Sequence, residues 1–419
     1  MEKLTGLLNR HIVPGLTVLS ENTYLSAIRA GMVSVVPLTI IGGLFIILSY
    51  LPISGWDKIV APYLSLLQIP VTATFGLLSV FACFAIAYDL GKQFKQEAIV
   101  SATMATLVFL LIQLKVGDSA EDIAFSMDSL GSKGLFTAVL IALISVRVQK
   151  YFSDRNFVIK LPENVPAVVY ESFVSLSPLF FLVTLFWLIR FVLGVDIDHL
   201  VQIAFKPLIF ALNTLPGILM YAFLVTLLWS VGINGDNAMD AIVAPIFLQY
   251  LTANVEAMIH GQPLPYITAY GFFTAFVNVG GTGATIALAL VMWNSKEPGY
   301  RKVSRLSLPT QIFQINEPIF FGFPIVLNPI FMIPYILNAL ILTSSTFLLM
   351  QAHLINKPFV NVPWTTPPII GHYLVSGGDW RAAVWGVASI VIAMAVYFPF
   401  AKVAERQRLK AEAEGTAHE

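Results

Sequence analysis

The sequence predicts an all-α polytopic membrane protein with about ten transmembrane helices and re-entrant hairpins in its C-terminal half. Three observations carry that expectation. The 419 residues are 57% hydrophobic and only 11% charged, whereas a soluble domain is about a quarter charged. Charge-free apolar runs recur from end to end, most of them near the roughly 20 residues that a spanning helix needs. The runs of the first half are plain, while Gly, Pro and Asn interrupt those of the second. The formal net charge of +0 supplies no global field to draw in nucleic acid.

Residues 1–29 mix charges with apolar residues and lack the compact apolar core and cleavage site of a signal peptide. They are read as an interfacial amphipathic segment. Spans are then expected in Ala30–Trp56, Ile59–Tyr88, Ala98–Leu114, Ser172–Ile189, Pro207–Gly235, Met258–Ser295 and Ala382–Ala401. Gly134–Val146 is short, but Lys133 and Arg147 can snorkel and extend it. From Pro318 to Asn356 the apolar run covers about 39 residues, roughly 58 Å if helical. Pro324, Pro329 and Pro334 break it, so a broken or re-entrant helix followed by a full span is expected. Cys83, the only cysteine, lies in "FACFAIAY" and reads as a buried small hydrophobe. No disulfide within the chain is possible, and neither a metal nor a cofactor is expected.

Orientation follows from the basic residues. Lys92 and Lys95, then Arg147, Lys150, Arg155 and Lys160, then Lys296, Arg301, Lys302 and Arg305, then Lys402, Arg406, Arg408 and Lys410 mark cytoplasmic segments. Asp118, Glu121, Asp122 and Asp128 form an acidic loop on the other side. Both termini are therefore expected in the cytoplasm; residues 234–270 are not placed by charge. The chain divides into a plain scaffold (30–195), a substrate-handling half (196–403) and a tail (404–419) too short for a catalytic domain.

Four motifs carry candidate chemistry. In "TQIFQINEPIFFGFPIVLNP", Glu317 is the one Asp, Glu, Lys or Arg between Arg305 and Lys357. A carboxylate in a membrane interior is costly and normally faces a polar cavity or a partner. Asn316 and Glu317 could also simply cap a helix beginning at Pro318. In "LLWSVGINGDNAMDAIVAP", Asn234, Asp236 and Asn237 bring hydrogen-bonding groups to a turn, or form an ordinary solvent-exposed one. "NVGGTGATIALAL", with Thr282, either lets backbone approach a ligand or allows close helix packing. In "NVPWTTPPIIGHYLVSGGDWRAAVWG", Trp364 and Thr365 offer an aromatic platform beside hydroxyls, or an interfacial belt. His372 has no second histidine at metal-ligand spacing and reads as structural.

Together "INEPIFFGFPIVLNP", "GGTGAT" and "PWTTPP…GGDWRA" resemble enzyme IIC, the membrane component of the lactose/cellobiose (diacetylchitobiose) family of the bacterial phosphoenolpyruvate-dependent sugar phosphotransferase system. The resemblance runs from about residue 8 to 403. It implies a homodimer in the bacterial inner membrane, with an N-terminal dimerisation half and a C-terminal transport half that moves elevator-like. It also implies that a cytoplasmic partner, enzyme IIB, phosphorylates the sugar from a phosphocysteine. Glu317 takes the place of the motif glutamate near the hydroxyl that becomes phosphorylated, and Trp364 that of the "PWTTP" tryptophan. Where cellobiose and chitobiose members read GIHG, this chain reads "GING", with Asn234 in place of a histidine. Asn keeps donor and acceptor groups but cannot titrate.

Two functions follow as expectations. The first is a disaccharide permease of a phosphotransferase system. The other is a proton-coupled secondary transporter with Glu317 as its proton site. An intramembrane hydrolase is disfavoured, because no zinc motif or nucleophile-and-base pair is evident.

Overall fold

The structure, a computed structural model, describes residues 22–50, 55–117, 123–125, 127–157, 159, 173–323 and 325–415. Most of the amphipathic segment, the loop acids Asp118, Glu121 and Asp122, and Lys160 lie outside the described residues. Helix α1 (Thr23–Ser49) opens at Asn22, whose Oδ1 accepts the N–H groups of Tyr24 and Leu25 at 3.0 and 3.2 Å. That cap satisfies two of the donors a helix start leaves unpaired. Helices α2 (Leu64–Phe75) and α3 (Leu78–Gln93) follow one another across Gly76 and Leu77, and together they lie in one long apolar span, Lys58–Gln93, that covers the expected Ile59–Tyr88. Helices α4 (Ala98–Gln113) and α5 (Leu135–Asp154) complete a group that packs on itself. Small residues sit at its crossings: Ala27, Ala82, Ala87, Ala102 and Ala105 are all fully buried.

The all-helical expectation is interrupted once among the described residues. Leu114–Val116 (β1) pairs antiparallel with Ile123–Phe125 (β2). Both strands are largely exposed, and pairing satisfies backbone groups that no helix uses there.

Helices α6 (Leu176–Trp187) and α7 (Ile197–Leu212) belong to a bent pair with an angle of 86°. The expected span Pro207–Gly235 is broken between α7 and α8 (Leu215–Ser230). Asn213 leaves the helix there, and its Oδ1 accepts the N–H groups of Ile267 and Thr268 at 2.9 and 3.3 Å. Helix α9 (Gly235–Ile259) was hidden from the charge-free criterion by Asp236, Asp240 and Glu256. The largest correction concerns Met258–Ser295, which is no span. Positive φ at Gly261, Gly271, Gly280, Gly281 and Gly283 breaks it into loop, a π-helical turn (Phe272–Val277) and the short α10 (Thr285–Met292).

Helix α11 (Pro298–Gln311) leads to the six-residue α12 (Glu317–Gly322) and then the 23-residue α13 (Pro329–Gln351), the broken helix and full span expected from the prolines. After α14 (Ile370–Val375) the chain ends in α15 (Trp380–Gly415). Helix α13 packs between α8 and α15, and α10 between α11 and α15.

Six helices among the described residues are long and apolar enough to cross a membrane, or seven with the bent pair as one span. Helices α4 and α8 are apolar but only 16 residues long, about 24 Å at 1.5 Å per residue. The chain is a helical, multi-pass membrane protein.

Candidate functional site

Four breaks in the helical pattern meet on one network. The first is the turn into α9. Asn234 is the N-cap of α9, and its Oδ1 accepts the Asn237 N–H at 2.9 Å. Its amide nitrogen makes no hydrogen bond to a described residue. Asn237 is exposed, and its carbonyl accepts Nη1 of Arg29 from α1 at 3.1 Å. Asp236 is fully engaged. It accepts the Trp229 indole N–H at 2.8 Å, the Thr282 hydroxyl at 2.5 Å and the Asn278 amide at 3.3 Å. Three donors from two segments, α8 and the glycine loop, satisfy a carboxylate set in an apolar protein, which lowers the cost of placing it there.

The second break is the glycine loop. A Cβ on Gly281 would stand 2.4 Å from Asn316 Cβ, and one on Gly283 would stand 2.3 Å from the Tyr335 ring. Glycine is the residue that permits both approaches and the left-handed backbone they need. The Tyr397 hydroxyl donates to the Gly283 carbonyl at 2.8 Å, which ties the loop to α15.

The third break is residues 314–317. Asn316 stands at the N-cap position of α12 but its side chain does not cap. Its Nδ2 instead donates to the Thr282 carbonyl at 3.1 Å. Gln314, which sequence reasoning passed over, accepts the N–H groups of Gly280 and Gly281 at 2.7 and 3.0 Å. Its Nε2 donates to the carbonyls of Thr274 and Thr366 at 3.2 and 3.4 Å. Glu317 follows at once. It is exposed, and its carboxylate makes no hydrogen bond or ion pair to any described residue.

The fourth break is residues 363–366. Trp364 is 57% exposed and Thr365 half-buried. The Thr366 hydroxyl turns back to the Pro363 carbonyl at 2.7 Å. His372 is fully buried with its ring edge-to-face on Phe276 at 4.8 Å, the structural placement expected of it.

The structure thus joins Asp236, Thr282 and Asn316 by hydrogen bonds and leaves the side chains of Glu317, Trp364, Thr365 and Asn237 and the Asn234 amide nitrogen uncommitted. Sequence reasoning also missed Trp229 and Asn278. Each had a signal: an isolated polar or indole group beside a glycine turn in an otherwise apolar run. Among the described residues no three His, Cys, Asp or Glu side chains converge on a metal position. A free carboxylate, free amides and an open indole face suit a polyhydroxylated ligand, whose hydroxyls donate and accept while its C–H faces stack on a ring.

Long apolar helices around a polar cluster of broken helices define a membrane permease for a polar solute. The chain belongs to the family described as "Phosphotransferase system, EIIC", which matches residues 29–339. It is 35% identical to the "Putative permease IIC component YwbA" of Bacillus subtilis, covering 98% of each chain. It is 33% identical to the "PTS system cellobiose-specific EIIC component" of Geobacillus stearothermophilus, over 98% of this chain and 96% of that one. Among solved structures it is similar to ChbC, "the IIC component from the N,N'-diacetylchitobiose-specific phosphotransferase system", with TM-score 0.91, 32% identity and coverage of 97% and 99%. A "PTS system lactose-specific EIICB component" of Streptococcus mutans is 31% identical over 95% of this chain, which covers 72% of that longer protein.

Proposed function

We propose that this chain binds a disaccharide between Glu317 and Trp364 and carries it inward, elevator-like, for phosphorylation by a separate enzyme IIB. The observation that carries this reading is the state of Glu317, an exposed and uncommitted carboxylate at the start of a six-residue helix. Its neighbours Gln314 and Asn316 are tied into the scaffold. A carboxylate so presented can accept a sugar hydroxyl or take its proton as a general base. Thr365, Asn237 and the Asn234 amide supply further polar contacts, and Trp364 a stacking face. Asp236, Thr282 and Asn316 then act on the sugar through the loops they hold.

The similarity to diacetylchitobiose, cellobiose and lactose components supports a disaccharide as substrate. The lactose relatives named EIICB support a partnership with enzyme IIB. In this reading the protein is a homodimer in the bacterial inner membrane with both termini in the cytoplasm. It has about ten spans once the short helices and re-entrant segments are included. Residues 30–195 form the dimerising scaffold and 196–403 the moving sugar-binding half. Proton-coupled transport by Glu317 alone is disfavoured by the family, whose relatives are phosphotransferase components.

The test is Glu317→Gln in proteoliposomes supplied with phosphorylated enzyme IIB. Gln keeps shape and one acceptor but loses charge and basicity, so sugar-phosphate formation should fall by about 100-fold or more, the scale of a lost general base. Insertion and oligomeric state should not change. Near-normal sugar-phosphate production would exclude the role, and proton-driven accumulation of free sugar without enzyme IIB would favour the other transporter class.

A further inference from the structure

Gln314 is 7% exposed and holds a left-handed backbone with φ of +67°. A long-chain residue keeps that conformation only where its surroundings over-determine it. Here the surroundings are four backbone groups. Two N–H donors, of Gly280 and Gly281, meet Oε1, and two carbonyl acceptors, of Thr274 and Thr366, meet Nε2. A backbone N–H only donates and a backbone carbonyl only accepts, so the partners themselves fix which way the amide faces. One carboxamide thus answers the glycine loop, the π-helical turn and the segment that bears Trp364. Two residues on, Asn316 holds the same loop through the Thr282 carbonyl. Glu317 comes next.

We propose that Gln314 is a positioning residue: its amide locks the glycine loop, the π-helical turn and the Trp364–Thr366 segment into one unit and so sets Glu317 against Trp364. The consequence for sugar rests on the reading of those two residues given above; the lock itself does not.

The discriminating variant is Gln314→Glu. It keeps the shape, and its oxygens can still accept from Gly280 and Gly281. Ionised, it cannot donate to Thr274 and Thr366 and sets a negative charge against both carbonyls. Protonated, it regains one O–H donor. An unperturbed Glu titrates near about 4.3, and burial beside carbonyl oxygens raises that value. The lock should therefore be open at pH 8 and close again toward pH 5. The titratable groups around it are Glu317 on the same segment, Asp236 behind Thr282 and His372 behind Phe276. All three are present in the wild type, so the readout is the difference from wild type at each pH.

Hydrogen exchange of the full-length protein in detergent, corrected for the chemical rate, reads the lock without sugar. In Gln314→Glu at pH 8, the amides of residues 364–366 and of the π-helical turn should exchange about tenfold faster than in the wild type, the scale of one lost hydrogen bond for each segment. Residues 279–283 should keep their protection, and at pH 5 one of the two loosened segments should return to within about twofold of the wild type, as the single regained donor restores one bond. In Gln314→Leu all three segments should loosen at both pH values. Binding of cellobiose and of diacetylchitobiose should weaken in parallel, with recovery at pH 5 in the Glu variant only. Wild-type exchange in the Leu variant, acceleration spread evenly over the whole chain, or a pH-independent Glu variant would overturn the lock. Altered exchange with unaltered sugar affinity would overturn the positioning role. A wild-type protein that binds neither sugar would instead count against the disaccharide site and leave the exchange data to decide the lock.

Discussion

Helices α1–α5 and the loops around Asp236 are held together by different forces. In the helical group the close contacts are mostly apolar, with a buried hydrogen bond from Ser101 to Gln149 at 2.7 Å among them: a Cβ on Gly31 would stand 2.2 Å from Ile86, and Ala27, Cys83, Ala87 and Ala105 are fully buried. Small residues that let backbones approach are how helices associate in an apolar solvent, where burial offers little drive. The loops are held by polar groups: Asp236 takes three donors, Gln314 meets four backbone groups, and Asn316 takes the Thr282 carbonyl. Non-helical backbone at membrane depth is tolerated only when its groups are satisfied by protein or line a cavity. A polar side chain in this second region is therefore either scaffold or site, and its hydrogen bonds tell which. That criterion assigns Asp236, Gln314 and Asn316 to the scaffold and leaves Glu317 free for ligand.

The largest expected effect lies in the glycine loop. Gly283→Ala adds a Cβ 2.3 Å from the buried Tyr335 ring at a φ of +76°. Overpacking and left-handed strain together should cost about 2–4 kcal/mol. Gly194 has a similar φ of +67° with nothing within 4 Å, so Gly194→Ala should cost only the conformational part, about 1 kcal/mol. Thermal unfolding of both variants in detergent measures the difference. Equal losses would mean that the glycine loop is no more tightly packed than a surface turn.

The same division explains what was legible beforehand. Plain apolar helices such as α1, α4 and α5 were readable because an apolar run in lipid has few alternatives to a helix. The broken pair α12 and α13 was readable from Pro324, Pro329 and Pro334. Helix α9 was not, because Asp236, Asp240 and Glu256 made it look polar, although Asp236 is satisfied by hydrogen-bond donors from α8 and the glycine loop. Met258–Ser295 failed for the opposite reason: its apolar composition fits a span, and its φ-positive glycines outweigh composition. Among site residues, Glu317 and Trp364 stood out from composition and local motif, and both are exposed. That Asn316 turns to Thr282, and does not cap α12, depends on a contact 34 residues away in sequence, which no local pattern encodes.

On the ligand side, Trp364→Ala should weaken sugar binding by roughly 1–3 kcal/mol, the range for burying one large apolar face, and Trp364→Phe by less. Because the ring is 57% exposed, neither change should move the unfolding temperature appreciably. Isothermal titration of the three proteins with cellobiose checks both halves. Equal affinities would return Trp364 to an interfacial belt.

A smaller effect is expected at the start of α15, away from the loops. Asp379 accepts the N–H groups of Asn356 and Arg381 at 2.9 and 3.0 Å and pairs with the Arg381 guanidinium at 2.9 Å. Burial pushes its carboxyl up, but those hydrogen bonds and the guanidinium outweigh burial and hold it below the usual carboxylate range. A depressed value in the folded state contributes stability above the unfolded value, near about 3.9, and that contribution disappears as pH falls through the lower folded value. Asp379→Asn should therefore lower stability by about 1–2 kcal/mol at pH 7, on the scale of a lost cap. The gap to wild type should begin to narrow below about pH 4 and keep narrowing as pH falls through the lower folded value. A gap that does not narrow at all as the solution is acidified would exclude the ionised cap as its source.

The smallest change tests whether Asn234 belongs to scaffold or site, since it has one foot in each. Its Oδ1 caps α9 on the Asn237 N–H, while its Nδ2 is uncommitted. If the amide nitrogen meets a sugar hydroxyl, wild-type selectivity should not change as pH passes through about 6.5, where an unperturbed histidine titrates. Asn234→His should lose the cap, at about 0.5–1 kcal/mol, and make sugar affinity depend on pH. It should also change which of cellobiose, lactose and diacetylchitobiose competes best. Asn234→Asp keeps an oxygen on the Asn237 N–H and places a negative charge at a helix N-terminus, where it is favourable. It should therefore preserve stability while removing the Nδ2 donor. Competition binding on all three proteins, about one pH unit either side of that histidine value, separates the two roles. A His variant with unchanged ranking and pH response, together with an Asp variant of unchanged affinity, would make Asn234 a helix cap and nothing more.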